Sequence, residues 1–330
     1  MRLIRIQAFW SNLGMSLLCL LLFSCSKLSD TKTLTLAHSL PVAHPVHKGI
    51  LVFEQELEKA SDGKLNVKIY PDGQLGGERE ALELFQIGSL AIAKISAATM
   101  ANFVPEYGVV SIPYIFRDKS HFFNVLEGDI GKELLGKGAD RWLQGLCFYD
   151  AGSRSFYTTN TPIESAEDVK GLKIRVMNDP IAVKMVKALQ GSPSPMDFGE
   201  LYTALQQGVV DGAENNIPSF ITSRHFEVCK HYSFDQHTYI PDVLIMGTKT
   251  LERLSDREKE WVYQAAAKSA QAQKIFWEAS VNDGLKVLNE AGVKIYRPDK
   301  NPFRNQTTSI IEDFKEKSFA KLVEAIQNTK

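Results

Sequence analysis

An α/β chain folded as two interleaved lobes, with one long helix bracing both, is predicted by three observations. Strand-like and helix-like segments alternate from residue 33 onward, a proline-free helical pattern covers residues 256–290, and Arg175 stands inside an apolar strand. Alternating β and α segments are the mark of a largely parallel sheet with helices on its faces. A helix of about 30 residues is about 45 Å long, the span of two lobes rather than one. The arginine lies near the C-terminal end of its strand, where α/β sheets hold ligands.

The first segment precedes the fold. Arg2 and Arg5 form a basic region ahead of an apolar run at 13–23 that is short for a bilayer span, the pattern of an export signal. It ends in Leu22-Phe23-Ser24-Cys25, which resembles a bacterial lipobox with a bulky Phe23. That resemblance implies residues 1–25 are a lipoprotein-type signal with Cys25 lipidated; cleavage near Ser24 without lipid is the alternative. Of the 330 residues, 305 then remain, more than one compact core organises. Basic and acidic residues nearly cancel at 38 and 39 and are interspersed, which argues against a nucleic-acid partner. Cys19 leaves with the signal, and Cys147 and Cys229 sit in apolar contexts that predict buried thiols, a single bridge being the alternative. No later segment is long and apolar enough for a transmembrane helix.

Residues 33–37 alternate as a strand, and 48–60 form an amphipathic helix with Ile50, Phe53 and Leu57 inward. A strand at 65–70 stops at Pro71-Asp-Gly73. Helical spacing over 78–87 ends at Gly88, a C′ residue. Residues 90–95 read as a buried strand interrupted by Lys94. Ser165-Ala-Glu-Asp168 is a capping box opening one turn. That turn leads into Lys170-Gly-Leu-Lys-Ile-Arg175-Val-Met-Asn178, where Leu172, Ile174 and Val176 share one face and Lys173, Arg175 and Met177 the other. Gly171 and Asn178-Asp179-Pro180 bound this strand. A helix at 199–207 precedes the short strand Val209-Val210, after which an Asp-Gly turn delivers Glu214, Asn215 and Asn216. Ser255-Asp-Arg-Glu258 caps the long helix, which carries Trp261, Ala265, Ala266, Ala270, Phe276 and Trp277. The expected division is 31–152 plus about 242–280 for lobe I and 153–241 plus about 281–330 for lobe II.

A guanidinium such as Arg175 is expensive to desolvate unless an anion or a buried carboxylate meets it, and its planar fork matches a carboxylate with two parallel hydrogen bonds. Arg154, about twenty residues earlier with one turn between, fits an adjacent strand presenting a second guanidinium; a surface arginine is the alternative. Asn215 offers a donor and an acceptor to a hydroxyl or carboxylate, or simply caps the segment before Pro218. Glu78 opens a helix, which dipole stabilisation explains without a ligand. Lys94 inside a buried strand requires a polar cavity or a partner. His38, His44 and His47 match no common zinc pattern, and a neutral imidazole bonding a ligand or capping a loop is the better reading. No nucleophile elbow, zinc helix, dinucleotide loop or P-loop is present in the sequence, so binding is favoured over catalysis and neither metal nor cofactor is expected.

Over residues 34–295 the chain resembles the extracytoplasmic solute-binding proteins of tripartite ATP-independent periplasmic (TRAP) transporters, the DctP-like family. The resemblance is carried by Tyr70-Pro-Asp-Gly-Gln-Leu-Gly-Gly-Glu78-Arg-Glu, Ser111-Ile-Pro-Tyr-Ile-Phe116, Glu167-Asp-Val-Lys-Gly-Leu-Lys-Ile-Arg175-Val and Leu201-Tyr-Thr-Ala-Leu-Gln-Gln-Gly-Val-Val-Asp-Gly-Ala-Glu-Asn215. It implies a two-lobed periplasmic binding-protein fold, type II-like, in which Arg175 clamps a ligand carboxylate with Arg154 and Asn215 beside it. Ser153-Arg-Ser-Phe-Tyr-Thr, Arg175-Val-Met-Asn178 and Pro195-Met-Asp-Phe-Gly-Glu200 are most similar to uronate-binding members. By position that similarity adds Glu78, His38, Lys48, Lys94 and Asn178 as hydroxyl-reading groups, with Phe198 or Phe156 over a sugar ring. The implied activity is receipt of a hexuronate by a monomer and delivery to the membrane permease; a C4-dicarboxylate or other sugar acid, a ligand-presenting sensory protein, and a periplasmic enzyme acting on sugar acids are the alternatives.

Overall fold

The computed structural model describes residues 31–315 and 319–330. The export segment and Cys25 lie outside the described residues. The strands are β1 (Lys32–Ala37), β2 (Leu65–Tyr70), β3 (Ile92–Ser96), β4 (Leu143–Tyr149), β5 (Ser153–Thr158), β6 (Lys173–Val176), β7 (Ser192–Pro195), β8 (Gly212–Asn215), β9 (His231–Tyr239), β10 (Asp242–Gly247) and β11 (Lys294–Tyr296). They form two sheets, ordered β2-β1-β3-β10-β4 and β11-β9-β5-β8-β6-β7. The chain passes between them at Asp150-Ala151-Gly152 and again at Ile240-Pro241.

The sheets are mixed rather than largely parallel. β1 runs parallel to β2 and β3, and β6 to β7 and β8, as helical crossovers require. β10 is antiparallel to β3 and β4, and β5 to β8 and β9. These are the two strands by which the chain enters one sheet directly from the other, so each runs against its neighbours. The pairings Asp242 with Ser96 and Tyr149, and Ser155 with Asn215, put the carboxyl ends of β3, β4 and β8 at the gap between the sheets. That gap is where such folds bind ligands.

Each sheet is covered on both faces. Ile50, Phe53 and Leu57 of the helix Pro45–Ala60 pack with Val262, Ala265 and Trp277 on one face of the first sheet, and Phe85, Phe122 and Val125 on the other. In the second sheet Ile174 and Val176 join Ile181, Met185 and Phe303, while Tyr157, Phe220, Tyr232 and Leu288 fill the opposite face. The period-two reading of the Arg175 strand therefore holds, with its apolar face in the core. Cys147 and Cys229 are buried and free.

The long helix is Asp256–Glu290, 35 residues, with the Ser255–Glu258 capping box formed. At 1.5 Å per residue it is about 52 Å long. Trp277 belongs to the first core and Leu288 to the second. Four residues before Trp277, Gln273 accepts from the Asp150 N–H at 2.8 Å and donates to the Asp150 carbonyl at 2.7 Å, pinning the first interlobe crossing. The Ser165–Asp168 box is also present.

Three boundaries differ from expectation. The first helix begins at Pro45, because His44 caps it and proline suits the first helical position. The strand expected at Val209-Val210 lies at Gly212–Asn215, and Val209 is exposed. The final helix, Ala320–Asn328, packs Val323 and Ile326 into the first core rather than the second, and Arg117 donates to the carbonyls of Gln327 and Thr329. Gly212 explains part of the second difference. A Cβ there would stand 2.4 Å from the Tyr157 carbonyl, so only glycine lets β8 close against β5. Gly212→Ala is expected to destabilise the protein by about 1–3 kcal/mol, read as a lower urea midpoint; an unchanged midpoint would contradict the close approach.

Candidate functional site

A cavity of about 300 Å³ lies between the lobes, at the small end of the range for small-molecule sites. Glu78, Lys94, Ser96, Thr99 and Asp242 line it from the first lobe, and Arg154, Arg175, Asn178, Phe198 and Asn215 from the second. Two hydrogen bonds tie the lobes together across it. Asn102 Nδ2 donates to the Asn178 carbonyl at 2.6 Å, and His44 Nε2 meets Ser219 Oγ at 3.2 Å. The Val46 N–H donates to His44 Nδ1, so Nε2 carries the ring proton and is the donor to Ser219.

Arg175 is 2 % exposed and is held by one neutral acceptor. Its Nε and Nη2 donate to the Met196 carbonyl at 3.0 and 2.7 Å, and the buried Nη1 has no hydrogen-bond partner. Burial pushes this guanidinium below its ordinary value, and no carboxylate pairs with it among the described residues. Three of its five N–H groups, both on Nη1 and one on Nη2, are unused. They form the end of the fork that takes a carboxylate bidentately. The Phe198 ring centroid lies 5.8 Å from its Cζ.

Arg154 is different in kind. It donates from Nε and Nη2 to the Glu214 carboxylate at 2.5 and 2.8 Å, from Nη2 to the Glu214 carbonyl at 2.8 Å, and from Nη1 to Asn215 Oδ1 at 2.9 Å. Burial alone would raise the Glu214 carboxyl, yet Arg154 and His237 hold it down at about 2. The pair leaves Arg154 electrically compensated, with one free N–H. Asn215 Oδ1 also accepts from the Asn216 N–H, so its Nδ2 is the end left for a ligand. β5 and β6 are not adjacent as expected; β8 runs between them and brings Glu214 and Asn215 to both.

On the first lobe, Lys94 is buried between two acids, 2.7 Å from Glu78 Oε1 and 3.2 Å from Asp242 Oδ1. Glu78 also accepts from the Ser96 N–H and the Thr99 hydroxyl, and these donors with Lys94 lower its carboxyl despite burial. Asp242 is raised by burial, which Lys94 only partly offsets, and by the Glu78 charge. Two acids around one ammonium make this wall net acidic, opposite the uncompensated Arg175.

The other expected contacts divide. Asn178 lines the cavity and donates to Asp197 Oδ1 at 3.1 Å. His38 is buried with His47, its Nδ1 accepting from the Leu40 N–H and its Nε2 2.9 Å from His47 Nδ1. Burial and Lys94 lower it to about 3, so it is a neutral loop cap. Lys48 is exposed on the outer face of the helix Pro45–Ala60 and does not line the cavity. Phe156 is sealed in the core against Phe303, which leaves Phe198 as the aromatic at the cleft. No group of three or more histidines, cysteines or acids that could hold a metal ion exists among the described residues. Asp242, Thr99 and the Met196 carbonyl were not anticipated. Asp242 begins an otherwise apolar strand, the same signal that marked Lys94 and Arg175.

The family model for bacterial extracellular solute-binding protein family 7, DctP, matches residues 36–318. Three solved TRAP periplasmic solute-binding proteins are similar along their whole length, each with a TM-score of 0.88. That of Xanthobacter autotrophicus Py2, with β-D-galacturonate bound, is 35% identical and covers 90% of this chain and 100% of its own. That of Roseobacter denitrificans, with β-D-glucuronate, is 36% identical over 91% and 100%. That of Polaromonas sp. JS666, bound to D-erythronate, is 34% identical over 91% and 99%.

Proposed function

Since the chain belongs to the DctP family of bacterial extracellular solute-binding proteins, it binds a solute outside the cytoplasm rather than transforming one, and we propose that the solute is a hexuronate such as D-glucuronate or D-galacturonate. The observation that carries this is Arg175, a buried guanidinium whose fork is unused and which no carboxylate pairs with. A ligand carboxylate supplies the missing partner through two charge-assisted hydrogen bonds of about 1.5–3 kcal/mol each. Asn215 Nδ2 and the free N–H of Arg154 complete its lone pairs. The hydroxyls face Asp242, Glu78 and Lys94, where an acidic wall accepts O–H donors, with Phe198 beside the ring. Two of the similar structures hold hexuronates, in keeping with this arrangement.

The same wall argues against a C4-dicarboxylate, whose second carboxylate would face Glu78 and Asp242 in a water-poor cleft. Ligand contacts to both lobes favour the closed form, and that form delivers the solute to the TRAP membrane permease. Cys25 as a lipid anchor and a monomeric state are further parts of the proposal, the first resting on the lipobox resemblance alone.

The test is a thermal-shift panel of hexuronates, aldonates including D-erythronate, and C4-dicarboxylates. A ligand at a hundred times its Kd adds about 2.7 kcal/mol, roughly 5 °C for a chain of this size. A shift with D-glucuronate or D-galacturonate and none with succinate is expected. A clear shift with succinate and a flat response to every hexuronate would overturn the reading.

A further inference from the structure

On the side of the cleft away from the long helix, an exposed asparagine that does not line the ligand cavity joins the two lobes. A groove of about 890 Å³ runs there between the helices Glu78–Ile87 of the first lobe and Pro180–Ala188 of the second. Thr99 and Asn178 line both this groove and the inner cavity, whereas Asn102 lines the groove alone. We propose that Asn102 is a positioning residue for ligand retention, which latches the wall between cavity and groove and so sets the rate at which the solute leaves. The proposal rests on the reading of the cleft as the solute site, not on which acid fills it.

The two interlobe hydrogen bonds lie on opposite sides. His44, bonded to Ser219, stands beside the long helix with its ring edge-on to Trp277 at 5.7 Å. Asn102 follows the short helix Ala97–Met100, and Met100 and Phe103 pack into the core on the other face of the first sheet. Its side-chain amide is divided between the lobes. Nδ2 donates to the Thr99 carbonyl of its own lobe at 3.2 Å and to the Asn178 carbonyl of the other at 2.6 Å. The first of these bonds survives opening, so the donor stays aimed at the place where Asn178 arrives.

Asn178 is held at its other end by Asp197, to whose Oδ1 its Nδ2 donates at 3.1 Å. Asp197 in turn closes on the first lobe at Gly77, where a Cβ would stand 3.1 Å from its Oδ2. Glu80 Oε2, at 2.9 Å from the same point, is the tip of a flexible side chain. The φ of Gly77 is −74°, open to any residue, so a larger side chain there is unstrained until the second lobe arrives. Asn178 thus reaches the first lobe twice, directly at Asn102 and through Asp197 at Gly77. Both contacts exist only in the closed form. Interactions absent from the encounter with the open protein act on dissociation rather than association.

The experiment is stopped-flow fluorescence with D-glucuronate on the wild type, Asn102→Ala, Asn102→Asp and Gly77→Leu, with thermal melts of the ligand-free proteins. Asn102→Ala should raise the dissociation rate about fivefold, the value of one ordinary hydrogen bond. Asn102→Asp, of the same shape, should raise it about tenfold, because an ionised carboxylate only accepts and would face two carbonyls. Gly77→Leu wedges the closing lobes apart and should raise it at least as much, which decides the matter if either Asn102 variant fails to fold. Association rates should stay within about twofold of wild type, and the ligand-free melting temperatures should be unchanged. Dissociation at the wild-type rate in the variants that fold would overturn the proposal, as would a loss of affinity carried by slower association. A wild type indifferent to D-glucuronate refutes the uronate reading instead, and the same rates are then read with D-erythronate or succinate, whichever shifts the wild-type melt.

Discussion

Arg175→Lys should weaken D-glucuronate binding by about 100-fold without lowering the melting temperature of the ligand-free protein. The ammonium keeps a positive charge but loses the fork, and with it the paired hydrogen bonds to one carboxylate. Arg175→Met should abolish measurable binding. Its ligand-free melting temperature should equal or exceed that of the wild type, because an unpaired buried charge costs several kcal/mol that methionine does not. The loss of two donors to the Met196 carbonyl offsets part of that gain. Titration calorimetry and thermal melting of the same samples check both statements. A Kd within threefold of wild type for either variant, or a collapse of the apo protein, would show that Arg175 holds the fold rather than the ligand.

Arg154→Met should do the reverse. Removing one partner of a buried ion pair strands Glu214 and is expected to cost about 3–5 kcal/mol of stability, read from urea unfolding without ligand. The sign with pH follows from the two shifted groups. The Glu214 carboxyl, depressed to about 2, contributes stability that is present above its ordinary 4.5 and lost as pH falls towards 2. His237, raised to about 9, contributes stability present below its ordinary 6.5 and lost as pH rises through 9. The network is therefore at full strength between about pH 4.5 and 6.5, and the penalty should be largest there. A variant as stable as wild type in that window would contradict the ion pair. The two arginines, alike in sequence context, are thus expected to separate into one that serves the ligand and one that serves the wall.

That separation is what the sequence could not express. Local signals were sound where the physics is local. The alternation around Arg175 placed its guanidinium off the core face, and the Ser165 and Ser255 boxes marked true starts. Charge pairing is not local. Nothing near Arg154 says that Glu214, sixty residues away, neutralises it, or that Lys94 meets Asp242 across 148 residues. Strand β8 was misplaced for the same reason. Gly-Ala-Glu-Asn lacks the apolar run that marks a buried strand, and it is stable only because Gly212 admits the Tyr157 carbonyl and Arg154 holds Glu214. β9, with Asp235 and His237 among its buried residues, lacks that apolar run as well. Lys48 and His38 were assigned by position in a block rather than by any force on the side chain, and the helix Pro45–Ala60 turns Lys48 to solvent.

The most direct test of the Arg175 clamp is a crystal structure of the complex with D-glucuronate. The sugar carboxylate is expected within hydrogen-bond distance of Nη1 and Nη2 of Arg175, with the ring hydroxyls towards Asp242 and Glu78. A carboxylate seated on Lys94, with the Arg175 fork still unpartnered, would contradict it.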